Sequence, residues 1–219
     1  MARAIIISGL LHNLSDNFIR FVEDVGEEVD TYVHTWNDID NLRWVNKLLR
    51  YQDRTRITVN METCPDFEKK YLILHSTYKA VNLIPDLNKY ETIIKFKPDL
   101  DTDYIPYNKT IEKYYTEGYL HSYPLMKDKS REDFIYGRVL YKTIDERMFS
   151  AYPSAIEKLF LRPYNDYFDD IHNLDKFLQK KYTKDYEGSI LWTNYIKERE
   201  LDIIQDLTLQ IPNCKSKSY

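Results

Sequence analysis

Apolar residues along this chain come in two rhythms, short runs of strand length and longer stretches with helical period. Residues 4–9, AIIISG, form a continuous β-branched run closed by a glycine. A run that is apolar at every position suits a strand covered on both faces, as in parallel sheets. Phe18, Phe21, Val22 and Val25 then follow the i, i+3, i+4, i+7 spacing of an amphipathic helix, with Gly26 as its stop. Residues 29–36 predict a second strand, Leu42, Val45 and Leu49 a second helix, and residues 56–59 a short third strand. Pro65 and Asp66 can open a longer helix in which Tyr71, Leu74, Tyr78 and Val81 share a face, and Pro85 ends it. Residues 90–97 make a fourth strand centred on Ile93 and Ile94.

Four strand–helix alternations in the first hundred residues predict an α/β fold, a mostly parallel central sheet flanked by helices. The second half is less regular. Residues 118–123 and 133–140 read as strands, the latter interrupted at Gly137. Thr143 with Glu146, and Ser154 with Glu157, have the capping-box spacing of helix starts. Further helices are expected near residues 166–181 and 188–198, a late strand at 201–211, and a frayed tail. No repeat, Gly/Ser linker or low-complexity tract divides the chain, so a single domain over residues 1–219 is expected, itself a whole or a piece of a longer protein. Residues 1–103 form its first half and 104–219 its second.

Composition narrows the function. Of 219 residues, 43% are hydrophobic and 30% charged, the balance of a globular chain with a core to bury. A net charge of −4 argues against a general nucleic-acid binder. No apolar run reaches the ~20 residues of a membrane span, and Ser8, His12 and Asn13 break the N-terminal apolar stretch too early for a signal peptide. Cys64 and Cys214 lie far apart and suggest no disulfide framework, so a reducing, cytoplasmic setting is expected. Twenty tyrosines against five glycines fit a compositional bias better than an aromatic-lined sugar groove, which a bulk count does not establish.

In open parallel sheets ligands bind beyond the carboxyl ends of the strands. That rule points to Ser8–Gly9, to Thr35–Trp36–Asn37, and to the segment after Lys97. There the chain runs IIKFKPDLDTD: a buried strand, two lysines, a proline, then Asp99, Asp101 and Asp103. Carboxylates at alternating positions can converge on a hard cation such as magnesium or manganese, together with phosphate oxygens and water. Such an ion would neutralise a diphosphate leaving group. The competing reading is an Asp-rich turn stabilised by its own backbone bonds.

The order of these features resembles that of GT-A glycosyltransferases: AIIISG at the start, DTYVHTWND in the second strand, IIKFKPDLDTD in the fourth. Within that class the motifs are similar to those of the amino-terminal domain of chlorella-virus capsid-protein glycosyltransferases, over roughly the first 140 residues. The resemblance implies a GT-A-like (Rossmann-like) fold, a UDP-sugar or similarly activated donor, a Mn2+ or Mg2+ ion, and a glycan or glycoprotein acceptor. It would place Ser8 and Gly9 in the nucleotide pocket and Thr35, Trp36 and Asn37 beside the base or ribose. It makes Asp101 the metal ligand and puts Asp99 near ribose or sugar, although Asp101 and Asp103 offer a second register of the D-x-D pair.

Other side chains have two readings each. Trp36 could stack on a base or serve as a core residue at a strand end, and Lys79 could reach the diphosphate or remain solvated. Asp133 and Glu187 are candidates for the base or nucleophile of the transfer, the first otherwise a loop residue and the second a helix-opening acid. His34, His121 and His172 could add a ligand, but no HExxH-like spacing supports zinc. Gly-rich phosphate loops of the dinucleotide or P-loop type are absent from the sequence. A sugar-phosphate nucleotidylyltransferase is the alternative enzyme, although the basic glycine-rich loop usual after its first strand has no counterpart in SGLLHNLSDN. A glycan-binding module without catalysis is the third reading.

Overall fold

The apolar runs of the sequence become the inner strands of one sheet in the computed structural model, which describes residues 2–11, 14, 18, 22, 29–66, 69–97, 134–140, 143–161, 195–196 and 201–205. The strands are β1 (Arg3–Ser8), β2 (Val29–Trp36), β3 (Arg56–Glu62), β4 (Thr92–Phe96), β5 (Phe134–Leu140), β6 (Thr143–Ala151) and β7 (Asp202–Gln205). They lie in the order β3-β2-β1-β4-β6-β5-β7. β1 to β4 are mutually parallel, β6 runs antiparallel to both β4 and β5, and β7 pairs parallel with β5.

Alternation along the strands divides the core in two. Ala4, Ile6, Tyr32 and Ile93 face the helix α2 (Lys69–Val81), where Leu74, Tyr78 and Val81 meet them, and the same cluster continues to Ile156, Phe160 and Tyr195. Ile5, Ile7, Val33, Ile94 and Phe96 face the other way, onto Leu14, Phe18 and Val22 and onto Val45 and Leu48 of α1 (Ile39–Leu48). Each fully buried Ile or Phe contributes ~1.5–3 kcal/mol of transfer free energy, so these rows dominate the stability of the fold. Phe18 and Val22 are helical and buried, as the first helix requires.

Several boundaries differ from the sequence reading. β3 runs three residues further, to Glu62, because its whole length pairs with β2 up to Trp36. α1 buries Asn41, Val45 and Leu48 rather than Leu42 and Leu49, since Asp38 caps it and sets its phase. Leu42 is left exposed. Thr143 does not start a helix: it starts β6, whose pairing with β4 and β5 outweighs a local capping pattern. Ser154 is not a cap either. The short helix α3 (Pro153–Ile156) is preceded by Tyr152 and opens on Pro153, then widens into a π-helical turn at Glu157–Leu161. The Tyr195 hydroxyl donates to the Leu159 carbonyl at 2.5 Å within that turn. The interruption expected at Gly137 is present as a register shift between Gly137 and Val139. Residues 118–123 and 166–181 lie outside the described residues.

At the amino-terminal edge, buried Asp30 draws Arg56, Lys89 and the Tyr90 hydroxyl around its carboxylate. Burial raises its pKa, but the hydrogen bonds from Tyr90 and Lys89 and the charge of Arg56 outweigh that and leave it below the ordinary 3.8. The cluster ties β2, β3 and the turn before β4 together at the edge opposite to the one described next.

Candidate functional site

β1 to β4 point the same way, so Ser8, Trp36, Glu62 and Phe96 stand on one edge of the sheet. Polar side chains replace apolar ones here while burial persists. Ser8, His34, Thr35, His75, Ser76 and Thr77 are each 4% exposed or less.

The chain leaves β1 through Gly9 at a φ of 92°, the left-handed region that glycine tolerates best. Its N–H is shared between the His34 carbonyl at 3.1 Å and the Ser76 hydroxyl at 2.6 Å. Gly9 is buried, and among the described residues nothing lies within 4 Å of a Cβ placed on it. Thr77 donates to the Ile73 carbonyl at 2.8 Å, which leaves the Ser8 hydroxyl as donor in their 2.8 Å contact. Two consecutive residues of α2 therefore grip two consecutive residues at the end of β1.

His34 Nδ1 lies 2.8 Å from the Ser76 hydroxyl, and its Nε2 lies 3.7 Å from a Glu62 carboxylate oxygen. The Ser76 hydroxyl also donates to the His34 carbonyl at 3.2 Å, so helix α2 holds both the backbone and the ring of His34. Burial pushes His34 down to about pKa 4, the attraction of Glu62 opposing it only in part and Lys79 adding to it. His75 is pushed to about 4 as well, by burial first and then by Lys79 and His34. Both imidazoles are neutral at physiological pH.

Glu62 is the charged end of this row. Asn60 donates to its Oε1 at 2.9 Å and Lys79 approaches the same oxygen at 3.3 Å. Burial raises the Glu62 pKa, but the Asn60 bond and the charge of Lys79 outweigh it, so the group stays ionised below the ordinary 4.5. Trp36 pairs across the strands with Glu62 and is only 3% exposed. Its ring stacks on His75 at 6.2 Å with planes 6° apart, and the His34 ring meets it edge-on at 5.0 Å. In this position Trp36 is a core ring at a strand end.

Asn37 is exposed just past β2, its N–H donating to the Glu62 carbonyl at 2.7 Å. Asp38 next to it accepts from the Asn41 N–H at 2.7 Å, and buried Asn41 accepts from the Leu11 N–H at 2.9 Å. The segment after Gly9 is thereby moored to the start of α1. Lys97, half-buried, follows β4 beside this segment, because β4 pairs with β1 in register from Thr92 to Phe96.

Seven of the sequence-derived candidates, Ser8, Gly9, Thr35, Trp36, Asn37, Lys79 and Lys97, thus lie at this edge or against it. Asp99, Asp101, Asp103, Asp133 and Glu187 fall outside the described residues, as do His121 and His172. β5 begins at the opposite edge: Ile135, through Ala151 and Ile93, is level with Ala4. Glu62, His75, Ser76 and Thr77 were not among the expected residues. For the last three the signal was the polar trio HST between Leu74 and Tyr78 in the helix; Glu62, at a strand end, had none. Among the described residues, no group of three or more His, Cys, Asp or Glu is placed to hold a metal ion, and no helix is long and apolar enough to cross a membrane.

No protein-family model matches the chain, and no curated protein matches it in sequence. Among solved structures, the apo form of the glycosyltransferase GlyE from Streptococcus pneumoniae TIGR4 is similar, with a TM-score of 0.55 at 8% identity over 95% of this chain and 46% of GlyE. The chain spans about half the length of that structure. Mouse xyloside xylosyltransferase 1 matches at a TM-score of 0.43 and 8% identity, over 91% of this chain and 82% of its own. A 4-diphosphocytidyl-2C-methyl-D-erythritol synthase matches at 0.44 and 6% identity, over 98% and 94%. Likeness at those two scores carries no argument. What is shared with GlyE is a fold, a GT-A-like α/β sheet, mostly parallel and flanked by helices.

Proposed function

We propose that this chain is a glycosyltransferase domain that binds a nucleoside-diphosphate sugar, UDP-linked in the first instance, and passes the sugar to a hydroxyl of a glycan or glycoprotein. One observation carries the reading. The Gly9 turn lies beside the end of β4 on the ligand-binding edge of a GT-A-like sheet, and in the sequence three aspartates follow that strand within seven residues. The donor set is all carboxylate oxygen, which fits a hard divalent cation rather than zinc. Asp99, Asp101 and Asp103 would hold Mn2+ or Mg2+, with Asp101 as the principal ligand; the bound ion supplies positive charge to the diphosphate as it leaves.

The chain's own groups have distinct tasks in this reading. The turn at Ser8 and Gly9, at the end of β1, is assigned to the nucleoside. Lys97, at the mouth of the acidic segment, adds positive charge for the diphosphate. Lys79 is committed to Glu62, so we assign it to holding that carboxylate rather than to the phosphates. Asp133 and Glu187 are the two acids considered as base or nucleophile toward the acceptor. The motif likeness to chlorella-virus capsid glycosyltransferases makes a capsid-protein glycan the first acceptor to assay.

Titration calorimetry with UDP tests the proposal. Binding in the presence of Mn2+ should weaken at least ~10-fold, about 1.4 kcal/mol, on adding chelator or on Asp101→Ala. Affinity that is indifferent to both treatments would refute metal-assisted donor binding.

A further inference from the structure

The border of the sheet at β3 differs from its interior. Among the described residues β3 pairs with β2 alone, and none of its seven residues is buried, whereas all eight of β2 are. The Glu62 carbonyl accepts from the Asn37 N–H on the β2 side. Backbone groups alternate along a strand, so those of Thr58 and Asn60 turn inward with Glu62, and those of Ile57, Val59 and Met61 turn outward. Such a row of outward N–H and C=O groups is a template for another strand. The side chains of the same three residues are half-buried, packed at the margin of the cluster that contains Ile5, Val33 and Val45.

The sequence of β3, RITVNME, is complementary to its own reverse about Val59. When two such strands pair antiparallel, Arg56 lies opposite Glu62, Ile57 opposite Met61, Thr58 opposite Asn60, and Val59 opposite Val59. Unlike charges meet, apolar groups meet, and neutral polar groups meet. The outward residues Ile57, Val59 and Met61 fall on the hydrogen-bonded positions of that ladder. Arg56 is 69% exposed with its Nε on Asp30, and a guanidinium offers further N–H groups. Glu62 receives Asn60 and Lys79 on Oε1 and keeps a third of its side-chain surface in solvent. A parallel pair would instead set Arg56 beside Arg56 and Glu62 beside Glu62, which is destabilising. We propose that β3 is the contact for a second copy of this chain, the two strands pairing antiparallel about a two-fold axis at Val59 and joining both sheets into one. The contact is isologous, so it closes at two copies. The carboxyl edges of the two sheets then point in opposite directions. The proposal stands independently of the donor-binding reading.

Sedimentation equilibrium of the full chain tests it, with an expected mass of two chains that falls to that of one on dilution. The dimer holds the Arg56–Glu62 contact twice, so Arg56→Glu and Glu62→Arg each create like-charge pairs at both places. Either variant should raise the dimer dissociation constant at least ~10-fold. Mixed in equal amounts, the two variants restore unlike charges at both contacts and should form a mixed dimer. A wild-type chain that keeps the mass of one chain overturns the proposal, as do a dimer that neither variant weakens and a mixture that forms none. Arg56 also meets Asp30, and Glu62 meets Lys79, so a variant that fails to fold leaves the decision to hydrogen exchange of the wild type. The amides of Ile57, Val59 and Met61 should exchange at least ~10-fold more slowly in the dimer than in the diluted chain, and equal rates overturn the pairing.

Discussion

Gly9 shows how much rests on a single backbone angle. Its φ of 92° is open to glycine and strained for any other residue. Gly9→Ala should therefore cost at least ~1–2 kcal/mol through the backbone. Urea unfolding measures this, and a variant as stable as the parent would mean that the turn does not need the left-handed region. In sequence, Gly9 was visible as the glycine that closes an apolar run. Ser76 was not, because a serine between Leu74 and Tyr78 has the same appearance whether it faces water, its own helix or a neighbouring strand. Trp36 offered two readings, and stacking on His75 from another element placed it in the core.

At the scale of the element, α1 illustrates local rules at work. Asp38 accepts from the Asn41 N–H and also from the Asn41 side-chain amide, so one carboxylate caps the helix and aims the residue that moors Leu11. Asp38→Ala should cost ~1–2 kcal/mol, the upper part of the range for a lost cap, with Asp38→Ser recovering most of it. The shift in urea midpoint reports both, and a recovery no greater than that of Ala would show that the cap does not carry the effect. Local rules failed at Thr143, where the spacing of a capping box lies within a strand. Pairing with two neighbours, β4 and β5, provides a hydrogen-bond ladder along the strand, and a capping box satisfies only two helix donors.

Across the whole molecule, the two buried imidazoles make stability depend on pH. His34 and His75 have folded pKa values near 4 against 6.5 for the free side chain. Their neutral forms are the ones the fold accommodates. The stability associated with them is fully present above pH 6.5 and is lost as pH falls toward 4, where the folded groups begin to protonate. Within that window each contributes a slope of about 1.4 kcal/mol per pH unit. Thermal midpoints should accordingly drop steeply between pH 6.5 and 4, and His75→Gln should flatten that dependence by about half. An unchanged slope in the variant would mean that His75 is not buried neutral. Asp30 acts on a lower range, since its depressed pKa preserves its ion pairs until pH falls below that of an ordinary carboxylate.

The sequence alone determined the central parallel strands and their ligand-bearing edge. β-Branched runs with helical stretches between them can bury both faces only as a parallel sheet, and the strand ends then fall where AIIISG and IIKFK stop. It also marked Ser8, Gly9 and Asn37, which owe their places to strand ends rather than to partners. Tertiary structure alone decided that β6 lies between β4 and β5, that Lys79 turns to Glu62, and that Ser76 reaches Gly9 across 67 residues of chain. Periodicity records which face of an element is apolar; it holds no information about which polar group from a distant segment will be brought opposite.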